Sequence, residues 1–456
     1  MLLNPQANLH DIVTRVADRP VYIWGARHDG LGMLRALERV GVHPRAFIDN
    51  NPLLHGKTVL GKPVCRPVDV LDGAWDAGGS RLPRVRRAAE PCLTEPQVAS
   101  SGSPLPNSAA CPFVFIASGY FGDEIAAECV ERGLEKDADF VMATDLQYFN
   151  YQIDHAGYCN LRCISCAVAN FAQHHPGGFM SAPVFEKVVQ KIVQEDPFVG
   201  VLRLYDWGEP LLNPALAEIL DVCSRYGMLS IISSNLNVIR NLEAVVQAKP
   251  TWFRVSTSGF GPTYEITHTG GRWEVFHRNL LTLAEVRDQH HPEMEVEVFY
   301  HIYKHNRDDF YKMKALCDKL RFILRYTHAY VFPLDHVESI IEGRPVNEMV
   351  QKTCDLLHLK VEDAIELARE QRDRPCFFER FLRITWDLKM TQCINWYDPS
   401  LLLCDTDFLS TPFAQVVAAK RYLSLCTRCK ANALHRYCNV YGDNKLIHEI
   451  GTVRVA

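Results

Sequence analysis

Short apolar runs of strand length alternate with amphipathic stretches over most of the chain, and the alternation changes character twice. Val21-Tyr22-Ile23-Trp24 is the first such run. Gly25-Ala26-Arg27-His28-Asp29-Gly30 follows, then apolar residues near every third or fourth place (Leu31, Leu34, Leu37, Val40), then a second run, Ala46-Phe47-Ile48, ending at Asp49. By period this is strand, turn, helix, strand, the opening unit of a doubly wound sheet. A further apolar run at 112–117 stops at Ser118-Gly119 and leads into a helical stretch through Ala126 and Val130, so the sheet resumes there. Between them, residues 77–111 keep no hydrophobic period. Gly78-Gly79-Ser80, arginines at 81, 84, 86 and 87, and Ser100-Ser101-Gly102-Ser103-Pro104 predict a flexible insertion.

From about 150 to 340 the pattern becomes strand alternating with helix. Apolar runs at 201–205, 229–233, 252–256, 296–300 and around 329–332 are separated by helical periods at 183–194, 214–226, 275–287 and 308–320. Repeated βα units of this length predict a parallel sheet curled into a full or partial (β/α) barrel, with chemistry at the C-terminal ends of its strands. After a helical bridge at about 346–370, residues 376–438 hold six cysteines and read as a small domain organised by a ligand. The expected class is α/β, with an N-terminal doubly wound domain at 1–148, a barrel core at 149–370 and a cluster-binding domain at 371–456.

Charge removes several classes of function. Lys plus Arg number 49 and Asp plus Glu 54, a net charge of −5, so no global basic field draws the chain to nucleic acid or anionic lipid. No uncharged apolar run reaches the roughly 18 residues of a membrane span, and the start, Met1-Leu2-Leu3-Asn4-Pro5-Gln6, lacks the order of a secretion signal. A cytoplasmic location is expected. In that reducing compartment, 16 cysteines point to metal or cluster ligation before a disulfide framework.

The sharpest pattern is Cys159-Asn160-Leu161-Arg162-Cys163-Ile164-Ser165-Cys166, on the loop after a predicted strand. Three thiolates on one loop suit three corners of an iron–sulfide cube and leave one iron open, whereas structural zinc usually takes four ligands. This spacing resembles the signature of the radical S-adenosylmethionine (radical SAM) superfamily. Trp207-Gly208-Glu209-Pro210, after the next strand, is similar to that family's Gly-Gly-Glu-Pro motif, with Trp207 for the first glycine. The resemblance implies that Gly208, Glu209 and Pro210 bind the methionine amino group of SAM. A carboxylate there suits an ammonium on chemical grounds alone. It also places Ser234 and Asn235 (from Ser233-Ser234-Asn235) and Ser256 and Ser258 (from Ser256-Thr257-Ser258-Gly259) beside the cofactor, with 330–333 near the last cofactor-facing strand. Ser165 stands where the family often has an adenine-packing aromatic, which leaves Phe171 as a substitute. The implied chemistry is a [4Fe–4S] cluster on Cys159, Cys163 and Cys166 that reduces SAM to methionine and a 5′-deoxyadenosyl radical, which abstracts hydrogen from substrate.

In the last block, Cys376, a hairpin near Lys389-Met390, Cys393 and the pair Cys426-Thr427-Arg428-Cys429 resemble SPASM or twitch extensions. The resemblance implies an auxiliary [4Fe–4S] cluster on Cys376, Cys393, Cys426 and Cys429, leaving Cys404 and Cys438 spare. A structural zinc site is the alternative. Cysteines 65, 92, 111, 129, 223, 317 and 354 show no ligand spacing. The N-terminal turn is similar to a G-x-G-x-x-G fingerprint with Arg27 for the middle glycine. With Asp49 it resembles nucleotide-sugar-binding Rossmann-like domains, which makes Gly25, Gly30 and Asp49 candidate nucleotide or nucleotide-sugar contacts, against a docking fold without ligand. His174-His175 and His290-His291 read as solvated pairs, and Asp387, Asp398, Asp405 and Asp407 as unselected acid/base candidates. The expected substrate is a sugar or nucleotide-linked sugar that is oxidised, epimerised or dehydrated. The alternatives are a peptide or protein substrate, or an iron–sulfur electron carrier or redox sensor without catalysis. A flavodoxin- or ferredoxin-like donor is the expected electron partner.

Overall fold

The computed structural model describes residues 5–17, 19–71, 111–118, 121–170, 177–398, 400–421 and 423–441. Nearly all of the insertion at 77–111, together with Cys92, Phe171 and His174-His175, lies outside the described residues. The chain divides into two units: residues 1–149 with 192–201 and 227–229, and the remainder.

The first unit is built on a six-stranded sheet, ordered β3-β4-β2-β1-β5-β6: β1 (Val21–Trp24), β2 (Ala46–Ile48), β3 (Thr58–Val59), β4 (Lys62–Cys65), β5 (Phe113–Ile116) and β6 (Phe140–Met142). All pairs but β3 with β4 are parallel. β2 and β5 are buried along their whole length, the signature of strands covered on both faces. The order reverses between β1 and β5, and doubly wound sheets open their ligand crevices at that reversal.

The second unit carries an open eight-stranded sheet ordered β12-β11-β10-β9-β8-β7-β13-β14. Its strands are β7 (Asn150–Asp154), β8 (Val201–Arg203), β9 (Leu229–Ser234), β10 (Trp252–Thr257), β11 (Glu295–Ile302), β12 (Ile323–His328), β13 (Phe381–Thr385) and β14 (Met390–Thr391). From β7 to β12 spatial order follows chain order, the topology of a (β/α) barrel left open, and the fold class is α/β. The helices Ala182–Glu195, Leu216–Arg225, Trp273–His290 and Asp309–Leu320 fall where the 3.6-residue period places them. β13 runs parallel to β7 in register Ile384 with Ile153, so residues beyond 371 also build the sheet, and β14 returns antiparallel to β13.

One strand is displaced from its expected position. The apolar run at 329–332 lies beyond the strand, which occupies Ile323–His328. β12 is an edge strand with Arg325 exposed, so its apolar signal is weak. Ala329 and Val331 are instead buried in a separate core with Val337, Leu434, Tyr437 and Tyr441.

Candidate functional site

The loop that carries Cys159, Cys163 and Cys166 begins where β7 ends. His155 is buried there, its ring nitrogens bridging the Leu204 carbonyl (3.2 Å) and Asn213 Nδ2 (3.0 Å). Burial lowers its pKa to about 4, which keeps the ring neutral. Asn213 Nδ2 also donates to the carbonyls of His155 and Met180, so the root of the loop is tied to the turn after β8. Farther along, Arg162 N donates to Thr269 O (2.8 Å), Ile164 N to Thr267 O (3.1 Å) and Thr353 Oγ1 to Ile164 O (3.1 Å). Leu161 and Ile164 are sunk in the interior while the three cysteines are only half-buried. Apolar anchors thus hold the loop while its three cysteines stay near one another. Burial, then the neighbouring Glu209 carboxylate, pushes the Cys159 thiol up to about 12. Burial, then Cys166 and Cys159, pushes Cys163 well above the usual thiol range. Without a cation these thiols keep their protons, and metal binding must displace them.

Glu209 stands beside this loop. A Cβ on Gly208 would lie 1.4 Å from the Ala156 carbonyl oxygen, so only glycine lets the turn after β8 press against the loop backbone. Glu209 N donates to Tyr158 O (2.7 Å) across that contact. Pro210 opens the short 3-10 turn Pro210–Leu212, whose Leu211 N donates to Glu209 Oε1 (3.1 Å). Ser234 Oγ donates to the same oxygen (2.7 Å), and Asn235 N to Oε2 (2.8 Å). Burial raises the carboxyl to about 7 against these three donors. Asn235 Nδ2 reaches the Cys159 sulfur (3.6 Å) and Asn160 Oδ1 (3.0 Å). Glu209, Ser234, Asn235 and Cys159 therefore form one hydrogen-bonded group. Ser256 Oγ lies 3.3 Å from Ser233 Oγ, whereas Ser258 is buried against Thr267 (2.9 Å) and His268 (3.4 Å). Ser165 is hydrogen-bonded to the Tyr303 side chain.

A charged group that the motifs do not reveal adjoins these residues. Arg383 on β13 donates to Asp154 Oδ2 on β7 (2.9 Å) and pairs with Asp206, which Gln152 also contacts. All three charged side chains are at least nine-tenths buried. Burial raises Asp206 to about 7 although Arg383 opposes it. Burial works against the Arg383 charge, but Asp206 and Asp154 outweigh it and hold its pKa above the usual value. Trp207 stacks on Phe332 (5.0 Å between centroids) and meets Tyr397 edge-on (5.2 Å). Burial, opposed by Arg383, pushes the Tyr397 hydroxyl up to about 12, and Cys166 is among the neighbours that raise it further. The unselected aspartates serve turns: Asp387 pairs with Lys389 (3.0 Å), Asp398 takes Ser400 N (2.8 Å) and Asp407 takes Ser410 N (2.9 Å).

The second thiol group is assembled from distant segments. Cys376 precedes the turn Phe377–Arg380, Cys393 follows β14, and Cys426 and Cys429 lie one turn apart on the helix Ser424–Ala431. Burial is the main cause that raises Cys429, and Cys393, Cys376, Cys426 and Cys438 follow, so the four expected ligands share one neighbourhood. Cys438, on the helix Leu434–Val440, is a fifth member, pushed up to about 12 by burial, then by Cys393 and Cys376. Burial, then the neighbouring Asp405, raises Cys404 instead. Burial lowers the pKa of Lys420, opposed by the neighbouring Cys393, Cys426, Cys376 and Glu379. Among the remaining described cysteines, 65, 129, 223 and 317 are buried, and 111 and 354 half-buried.

Among the described residues no three His, Cys, Asp or Glu side chains converge on a single ion. Ligands of an iron–sulfur cube each hold a different iron and need not converge. The donor chemistry fits such clusters at both places: three thiols on one loop, and four or more around Cys393.

In the first unit, Gly25 has φ of +116°, and a Cβ there would lie 2.7 Å from Ala117 O. A Cβ on Gly30 would lie 1.7 Å from Gly25 O, so this glycine serves helix-to-strand packing. Asp49 accepts from Ala26 N and Asn51 N (both 2.8 Å), tying the β1 turn to β2. The pair His290-His291, expected to be solvated, is not: His291 is buried, 3.7 Å from Glu293, and half-buried His290 lies 3.3 Å from Glu243.

No family profile matches the chain, and no curated protein matches it. Similar solved structures include Streptococcus suis SuiB bound to S-adenosylmethionine, with 13% identity and a TM-score of 0.42 over 69% of this chain and 79% of that one. Another is anSMEcpe with bound AdoMet, with 14% identity and a TM-score of 0.39 over 67% of this chain and 100% of that one. A third is BtrN in complex with AdoMet and 2-DOIA, with 12% identity and a TM-score of 0.37 over 65% of this chain and 89% of that one.

Proposed function

We propose that this chain is a radical SAM enzyme, with Cys159, Cys163 and Cys166 holding a [4Fe–4S] cluster whose fourth iron is left to SAM. The observation that carries the reading is Asn235. Its backbone N–H holds the Glu209 carboxylate and its side chain reaches the Cys159 sulfur, so an anion for the methionine ammonium stands next to the thiols. A cluster held by Cys159, Cys163 and Cys166 would supply one-electron reductive cleavage of the sulfonium and so a means of hydrogen abstraction from substrate. Glu209 retains acceptor capacity on Oε2 for the ammonium. Ser256 and Ser233 offer hydroxyls at the ends of β10 and β9 for the ribose. Leu161 and Ile164 seal the loop from below and exclude water. Cys376, Cys393, Cys426 and Cys429 hold an auxiliary [4Fe–4S] cluster, and a flavodoxin- or ferredoxin-like protein supplies electrons.

Charge bears on the substrate class. Arg383 balances Asp154 beside Asp206, whose carboxyl burial pushes up to about 7, so the group next to Tyr397 and Cys166 carries little net charge and suits hydroxyls. A sugar meets that demand, and Gly25, Gly30 and the Asp49 turn are separate candidate contacts for a nucleotide on the first unit. Anaerobic protein reconstituted with iron and sulfide is mixed with SAM, dithionite and deuterated candidates. The reading expects 5′-deoxyadenosine, with deuterium arriving from sugars. Deuterium arriving only from peptides overturns the substrate class, and spectra indifferent to SAM with no 5′-deoxyadenosine overturn the enzyme.

A further inference from the structure

Lys420 is 6% exposed, in the last turn of the helix Phe413–Arg421. Its Nζ donates to the carbonyl of Gln392, the residue before Cys393, and among the described residues no carboxylate forms an ion pair with it. The nearby carboxylate of Glu379 is held by Lys430 at 3.2 Å. An ammonium removed from water without a counter-charge is strongly disfavoured. Cys393 and Cys438 pack on the same buried core as Cys429, so the ammonium stands at the edge of a thiol-lined interior. A cluster held by four thiolates would be a dianion when oxidised and a trianion after one-electron reduction, and so would balance the ammonium.

We propose that Lys420 is the fixed counter-charge of the C-terminal thiolate centre and sets its reduction potential. This rests on the reading of that centre as an iron–sulfur cluster. Reduction adds one electron, here from dithionite, and makes or breaks no bond to Lys420. A fixed positive charge stabilises the trianion more than the dianion and so raises the potential.

The test uses the full chain with Cys159, Cys163 and Cys166 all replaced by Ala, so that only the C-terminal centre is loaded, in an anaerobic redox titration followed by electron paramagnetic resonance. Lys420→Met is expected to disfavour reduction at least tenfold, a potential about 59 mV more negative for a one-electron couple. Lys420→Arg, which keeps the charge, is expected to stay near the parent value. An unchanged potential in Lys420→Met overturns the proposal. If Lys420→Met holds no iron, Lys420→Arg decides: iron retained supports the charge, and iron lost as well shows that shape matters instead. Zinc, or no iron, at the unmodified C-terminal thiols sinks the cluster reading itself, which is a different outcome from iron with an insensitive potential.

Discussion

The two thiol groups of the larger unit keep opposite charged company. The loop at 159–166 offers three thiols beside a buried carboxylate, Glu209, whereas the C-terminal group gathers five, of which Cys376, Cys393 and Cys426 neighbour the buried Lys420. Three thiols beside an anion would suit a metal centre with one corner left to an exchangeable cationic ligand. The second has thiols to spare and a cation to stabilise the charge they gather, which suits a closed, electron-storing centre. In this chain, the number of thiols and the sign of the nearest buried charge separate two sites built from the same ligand type.

That comparison breaks most completely if the two groups are interchangeable. Cys163→Ala is expected to abolish 5′-deoxyadenosine formation and remove about half of the bound iron, while Cys376→Ala loses a similar amount of iron and still cleaves SAM. Iron analysis and product chromatography check both. If Cys376→Ala alone stops cleavage, the division of labour drawn here is wrong.

Gly208→Ala is expected next in size. Its Cβ meets the Ala156 carbonyl at 1.4 Å, so the backbone must move, destabilising the fold by about 3 kcal/mol in denaturant unfolding. A cost near zero would mean that the loop and the turn after β8 are not pressed together.

Glu209→Gln is expected to weaken SAM binding about thirtyfold, from the loss of about 2 kcal/mol of a buried charge pair. The parent should also show a pH dependence. With the carboxyl at about 7, the ionised form that attracts an ammonium is scarce in acid, so affinity rises with pH and levels off above neutrality. One pH unit below that midpoint it should be about tenfold below its plateau, and Glu209→Gln should flatten the profile. Calorimetry at several pH values reads both. Cys438→Ser should have the smallest effect, leaving iron content unchanged, and a loss equal to that of Cys376→Ser would make Cys438 a ligand.

What the sequence made legible was local. The spacing of Cys159, Cys163 and Cys166 and the run from Trp207 to Pro210 lie within single turns, and helical periods located the helices of the larger sheet. Partners far apart in the chain were not legible. Arg383 meets Asp154 across 229 positions only because β13 pairs with β7, and a lone arginine in a strand-like segment gives no sign of that. His155 with Asn213, and Lys420 and Cys438 with the other C-terminal cysteines, depend likewise on tertiary packing. The last strand was misplaced because burial in a loop core mimics burial in a sheet, as Ala329 and Val331 show.

The most direct measurement takes the Cys376→Ala, Cys393→Ala double variant, which keeps the loop at 159–166 intact, and records its electron paramagnetic resonance after anaerobic reduction, with and without SAM. The account predicts a reduced iron–sulfur signal that changes on adding SAM. A signal that stays the same, or none from that loop, contradicts it.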